Sequence, residues 1–125
     1  MTPTPKLLNG PHFTAEVDVP TGRLVLHGEL DLCAAELLSQ LHPDLLTRAA
    51  SCVSVSLADV GFIDAAGIGA LIRLRNELHR AGGRLLLTHA GDGVARVFRH
   101  AGLTHLLLAG AADAHPAAPP AQASG

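Results

Sequence analysis

The stretch Gly61-Phe62-Ile63-Asp64-Ala65-Ala66-Gly67-Ile68-Gly69-Ala70-Leu71 decides how the rest of the chain is read. An apolar run closes at Asp64, and Ile68, Leu71, Ile72, Leu74 and Leu78 then fall near the i, i+3, i+4 spacing of a helix with one buried face. The stretch therefore predicts a strand feeding directly into a helix, with Asp64 as its cap. A carboxylate there accepts hydrogen bonds from the free N–H groups of the first turn and sits at the positive end of the helix dipole. Two glycines in the first turn are odd for a helix that only has to be stable, since each costs about 1 kcal/mol relative to alanine. With Ala65, Ala66 and Ile68 they leave a small-residue surface at the helix start. Two explanations stand: tight packing of helix on sheet, or a docking platform for a partner.

Working outward, the N-terminal side alternates. Phe13, Ala15, Val17 and Val19 mark a half-buried strand, Pro20-Thr21-Gly22 a turn, and Leu24, Leu26 and Gly28 a second strand, together an antiparallel hairpin. Gly28-Glu29-Leu30-Asp31 then leads into a helical face from Leu32 to about Ala49, marked by Ala34, Leu37, Leu38, Leu41, Leu45 and Leu46. Pro43 lies inside that pattern and predicts a kink near His42. Asp31 is either the N-cap of this helix or a partner contact.

Val53, Val55 and Leu57 alternate with Ser54 and Ser56 as a central strand. The helix after Asp64 runs to about Ala81, where Gly82-Gly83 stops it. Arg84 to His89 is a further short strand, and Val94, Val97, Phe98 and Ala101 form the apolar face of a third helix ending at Gly102. Leu103 to Leu108 is placed to close the sheet. The fold class is thus α/β: a mixed, mostly parallel sheet opened by an N-terminal hairpin, with crossover helices. Residues 1–12 read as a flexible arm, 13–109 as the folded domain, and 110–125 as a disordered Ala/Pro-rich tail.

Three motifs bear a family resemblance. Asp64-Ala65-Ala66-Gly67-Ile68-Gly69-Ala70-Leu71 after Val60-Gly61-Phe62-Ile63 resembles the signature of STAS domains, the sulphate-transporter and anti-sigma-factor-antagonist family. Gly28-Glu29-Leu30-Asp31 ahead of a helix start is similar to the same family, as is Arg96-Val97-Phe98-Arg99-His100-Ala101-Gly102-Leu103. The resemblance covers roughly Phe13 to Ala109 and implies a STAS-like fold. It also implies a role as anti-sigma factor antagonist, binding a serine kinase of the ATP-binding, histidine-kinase-like fold that sequesters a sigma factor. In the single-domain antagonists the residue after the aspartate is the serine that this kinase phosphorylates. Here that residue is Ala65, followed by Ala66, so the acceptor hydroxyl is missing. Ser56 also departs from the Asp or Asn that relatives often carry there. The implied partner-binding set is Asp31, Asp64, Ala65, Ala66, Gly67 and Gly69. Two other roles stay open: a cytoplasmic accessory subunit of a lipid or solute transporter, and a scaffold subunit of a signalling assembly.

Other chemistries fit poorly. Gly67-Ile68-Gly69 is followed by Ile72 where a dinucleotide fingerprint needs Gly or Ala, and Gly91-Asp92-Gly93 fails likewise at Arg96. Eight histidines show no metalloprotease spacing and no completed ligand set. Ser54 and Ser56 lack the strained elbow of a serine nucleophile. The expectation is a non-enzymatic binding protein with no cofactor and no metal. A net charge of −2 gives no footprint for nucleic acid. No apolar run is long enough to span a bilayer, and the N-terminus lacks a signal-peptide pattern. Cys33 and Cys52 read as small buried thiols of a reducing, cytoplasmic compartment.

Overall fold

The computed structural model describes residues 6–41 and 52–107. In chain order it has β1 (Lys6–Gly10), β2 (Phe13–Asp18), β3 (Arg23–Leu30), α1 (Leu32–Ser39), β4 (Cys52–Ile63), α2 (Ala65–Arg80), β5 (Arg84–Thr88) and α3 (Asp92–His100), followed by a 3-10 turn at Thr104–Leu106. The five strands form one sheet in the order β1-β2-β3-β4-β5. β1–β2 and β2–β3 pair antiparallel, β3–β4 and β4–β5 parallel. The mixed α/β architecture and the β2–β3 hairpin are those the sequence predicts.

Strand alternation sets the core. Phe13, Ala15 and Val17 of β2 are buried while Thr14, Glu16 and Asp18 between them are half-exposed. Leu24 and Leu26 of β3 and Val53, Val55 and Leu57 of β4 continue the buried set. Against it pack Ala34, Ala35 and Leu38 of α1, Ile68, Leu71, Leu74 and Leu78 of α2, and Val94 and Phe98 of α3. With almost no aromatics, this core rests on interlocked aliphatic chains, each worth about 1.5–3 kcal/mol when fully buried.

Both glycine stops act as read. α2 ends with Gly82 at φ 88, its N–H donating to the His79 carbonyl at 3.0 Å and the Gly83 N–H to the Leu78 carbonyl at 2.7 Å. α3 repeats the pattern at Gly102, φ 74, with bonds to Arg99 and Phe98. Each closes two orphan carbonyls of the last turn in a Schellman arrangement.

Five expectations need correction. Residues 6–10, read as part of a flexible arm, form β1, a strand paired along β2 from Lys6↔Val17 to Gly10↔Phe13. The Pro11-His12 pair is its two-residue turn. An edge strand needs backbone pairing more than a buried face, so β1 shows little hydrophobic alternation. Second, the separate apolar runs before Asp64 are one continuous strand, β4. Third, Leu103 to Leu107 forms no strand: it holds the 3-10 turn and one parallel bridge, Leu87↔Leu107. Fourth, Ala101 is an exposed helix cap, not part of the buried face of α3. Fifth, Cys33 is exposed and Cys52 half-buried, because Ala34 and Ala35 take the inward positions of α1. α1 itself ends at Ser39, and the expected kink near His42 and Pro43 lies outside the described residues, as does the 110–125 tail.

Candidate functional site

β3 and β4 run side by side, and each turns straight into a helix at its C-terminal end. Leu30 registers with Ile63, and the Asp64 N–H donates to the Leu30 carbonyl at 3.3 Å. The two helix starts, at Asp31 and Asp64, are therefore neighbours at the C-terminal ends of the two adjacent interior strands.

Each start uses the same device. The Asp31 carboxylate accepts from the Ala34 N–H at 3.1 Å, and the Asp64 carboxylate accepts from the Gly67 N–H at 3.0 Å. Both caps are in extended backbone conformation, and each satisfies one of the free donors of its first turn. Of the two roles left open for Asp31, capping is thus fulfilled in the fold.

The small residues after Asp64 divide. Gly67 is buried, and a Cβ there would collide with the Leu30 carbonyl and approach the Leu30 side chain at 2.9 Å. It is the position at which α2 leans on the end of β3, so packing explains it. Gly69 is half-exposed and a Cβ there would meet nothing within 4 Å. Packing does not explain it. Ala65 is exposed and Ala66 half-buried. The residues implied for partner contact are thus brought together, with Gly67 turned inward.

Sequence reading missed two neighbours. Leu32, directly after Asp31, is 61% exposed, and Phe62, two residues before Asp64, is 49% exposed. With Leu7 on β1 they are the large hydrophobic side chains most open to solvent among the described residues. The sequence places Leu32 at a helix start and Phe62 inside the apolar run that closes at Asp64. The signal that would have found Phe62 is spacing: Leu57, Val60 and Ile63 are buried at intervals of three, which puts Phe62 outside. The cause lies in the register. Val25 faces Ser56 and His27 faces Asp59, then Gly28 faces Val60 and Glu29 faces Phe62, so β4 twice spends an extra residue against β3. These bulges re-aim the side chains leading to Asp64. Gly61, within the bulged stretch, has open space around it. Ser56 caps the first bulge, its hydroxyl accepting from the Ala58 N–H at 3.4 Å.

The site holds apolar side chains, small residues and helix N-termini, with no nucleophilic hydroxyl from Leu57 to Leu87. No helix of the described residues is long and apolar enough to cross a membrane.

The comparisons with known proteins agree with this architecture. A family model described as "Mlab, STAS domain" matches residues 13–109. Among solved structures, the unphosphorylated anti-sigma factor antagonist SpoIIAA, from Bacillus, is similar at 24% identity, covering 77% of this chain and 85% of its own, with a TM-score of 0.63. An anti-sigma factor antagonist from Mycobacterium paratuberculosis is similar at 23% identity, covering 86% and 97%, with a TM-score of 0.64. A sulfate transporter family protein from Wolinella succinogenes reaches 20% identity, 76% and 77% coverage, and a TM-score of 0.63. A comparison with curated proteins found no match. The family model spans most of the sequence, over the same strands and helices that build the two capped junctions, and the chain is a member of the STAS domain family.

Proposed function

We propose that this protein is a non-enzymatic antagonist that docks a kinase-type anti-sigma factor through the surface around Asp64, and so regulates transcription. The contact set is Ala65, Ala66 and Gly69 on α2, framed by Asp31 and Asp64 and anchored by Leu32 and Phe62. The observation that carries this reading is the exposed Ala65 at the first position of a helix capped by Asp64, with open Gly69 four residues on. Small residues there let a partner backbone approach, and the two exposed apolar side chains supply area to bury. The partner class is a serine kinase of the ATP-binding, histidine-kinase-like fold.

In this reading the protein stays in its binding-competent form. A phosphoserine after the aspartate would add about −1.5 to −2 charges at the contact, and Ala65 removes that lever. The test is to titrate the full chain against an anti-sigma kinase encoded by the same genome, then incubate the pair with ATP and map phosphate by mass spectrometry. Tight binding with no phosphate near the turn is the expected result. Ala65→Ser should become an acceptor. Stoichiometric phosphate on the unaltered protein near residues 56–88 would end the constitutive reading.

A second reading is favoured by the Wolinella neighbour, whose name places it in the sulfate transporter family. There the same surface would dock a transporter subunit. A genomic neighbour encoding an ATP-binding transport subunit in place of a kinase separates the two.

A further inference from the structure

The two halves of the chain carry opposite charge. Residues 65–125 hold six arginines against Glu77, Asp92 and Asp113, whereas residues 1–64 hold Lys6, Arg23 and Arg48 against eight carboxylates. The boundary falls at the Asp64 junction, and the small net charge of the whole chain hides it. All six arginines lie on α2, β5 and α3, and all six are exposed.

Three of them, Arg73, Arg75 and Arg80, belong to α2, where Glu77 is the one carboxylate. Steps of four, four, three and four residues lead from Ala65 to Gly69, Arg73, Asn76 and Arg80, and such steps keep side chains on one face of a helix. That face lies away from Gly67, Leu71, Leu74 and Leu78, which α2 buries. Arg73, Asn76 and Arg80 are exposed. The open, small-residue start of α2 thus runs on in one stripe to two arginines whose backbones are about 10 Å apart along the axis. The helix dipole favours a cation in the last turn and accounts for Arg80. It does not reach Arg73 in mid-helix, and a single carboxylate at Glu77 cannot neutralise both arginines.

We propose, resting on the docking reading above, that this stripe extends the contact surface and that Arg73 and Arg80 pair with carboxylates on the anti-sigma kinase. The partner surface is then apolar opposite Phe62 and Ala65 and acidic opposite the second half of α2. Guanidinium and carboxylate meet through two parallel hydrogen bonds, so each pair fixes orientation as well as attraction. The charges steer encounter and set register, while the apolar end supplies the area to bury. Two arginines spaced by Asn76 and continuous with an apolar patch suit an acidic protein surface. A phosphate backbone calls for a denser run of cations.

Arg73→Gln/Arg80→Gln tests this in the full chain, since glutamine keeps the helix propensity of arginine. An anti-sigma kinase encoded by the same genome is titrated at about 50 mM and about 500 mM salt, conditions that differ strongly in screening. Ala65→Glu is run beside it, as is Arg96→Gln/Arg99→Gln on α3, which removes the same charge elsewhere. The stripe variant should melt like the parent, bind at least about tenfold more weakly in low salt, and recover part of that gap in high salt. The α3 variant should bind like the parent. A stripe variant that binds like the parent while Ala65→Glu does not overturns the stripe and leaves the docking surface standing. If Ala65→Glu also binds like the parent, or the parent binds no kinase, the docking reading falls with it. Equal weakening by the α3 variant overturns the stripe as well, because net charge would then account for the loss. Capture of anionic phospholipid vesicles or duplex DNA by the parent and not by the stripe variant would assign the arginines to phosphate. Self-association lost in that variant would assign them to a second copy. Either result overturns the kinase assignment.

Discussion

The β3–α1 and β4–α2 junctions are built on the same plan and end differently. Both put an aspartate at the N-cap, and both aspartates accept from the N–H three residues on. After Asp31 come Leu32 and Cys33, both exposed. After Asp64 come Ala65 and Ala66, then Gly67 against the Leu30 carbonyl. The second junction has to be small at Gly67 because the first one stands in its way. It does not have to be small at Ala65 or Gly69, where side chains have room. The pair thus separates two demands that look alike in sequence: glycine required by a neighbouring backbone, and glycine or alanine kept where the fold leaves space open.

The largest effect should come from breaking the contact between the junctions. Gly67→Ala gains about 1 kcal/mol of helix propensity, but its methyl would meet a backbone carbonyl that cannot swing away. A net loss of about 2–3 kcal/mol is expected, the upper part of the range for overpacking. Denaturant midpoints check this. An unchanged midpoint would mean that α2 is free to move off β3.

Gly69→Ala should act in the opposite sense. With nothing near its Cβ, alanine should stabilise the chain by about 1 kcal/mol, and a thermal melt would show the rise. In the docking account the same methyl weakens partner binding. A stabilised variant that binds as well as the parent would confine the contact to Ala65 and Ala66.

How much of this was legible depends on the range of the cause. The caps, the hairpin and both glycine stops arise from neighbours in sequence, and Asp64, Gly82-Gly83 and Gly102 announced them. β1 was hidden because an edge strand is held by the backbone of β2, and Leu7 with Leu8 shows no alternation. β4 was read in pieces because its bulges change the buried spacing from two residues to three after Leu57. The distinction between Gly67 and Gly69 was invisible in principle: it depends on Leu30, distant in the chain and adjacent in space. Leu32 and Phe62 were hidden for a related reason, since an apolar letter beside other apolar letters reads as core until the register is known.

The central claim is that the exposed small-residue start of α2 is a contact surface. Ala65→Glu tests it most directly, because it sets stability against binding. A carboxylate in the first turn, near the positive end of the helix dipole, should leave the melting temperature unchanged or raise stability by about 0.3–1 kcal/mol. Buried in an interface without a counter-charge, the same group should lower affinity for the anti-sigma kinase tenfold or more, about 1.4 kcal/mol. Melts and titrations on one preparation give both numbers. The account predicts a folded protein with undiminished stability and at least tenfold weaker binding. A folded Ala65→Glu protein that binds the kinase as tightly as the parent would contradict it.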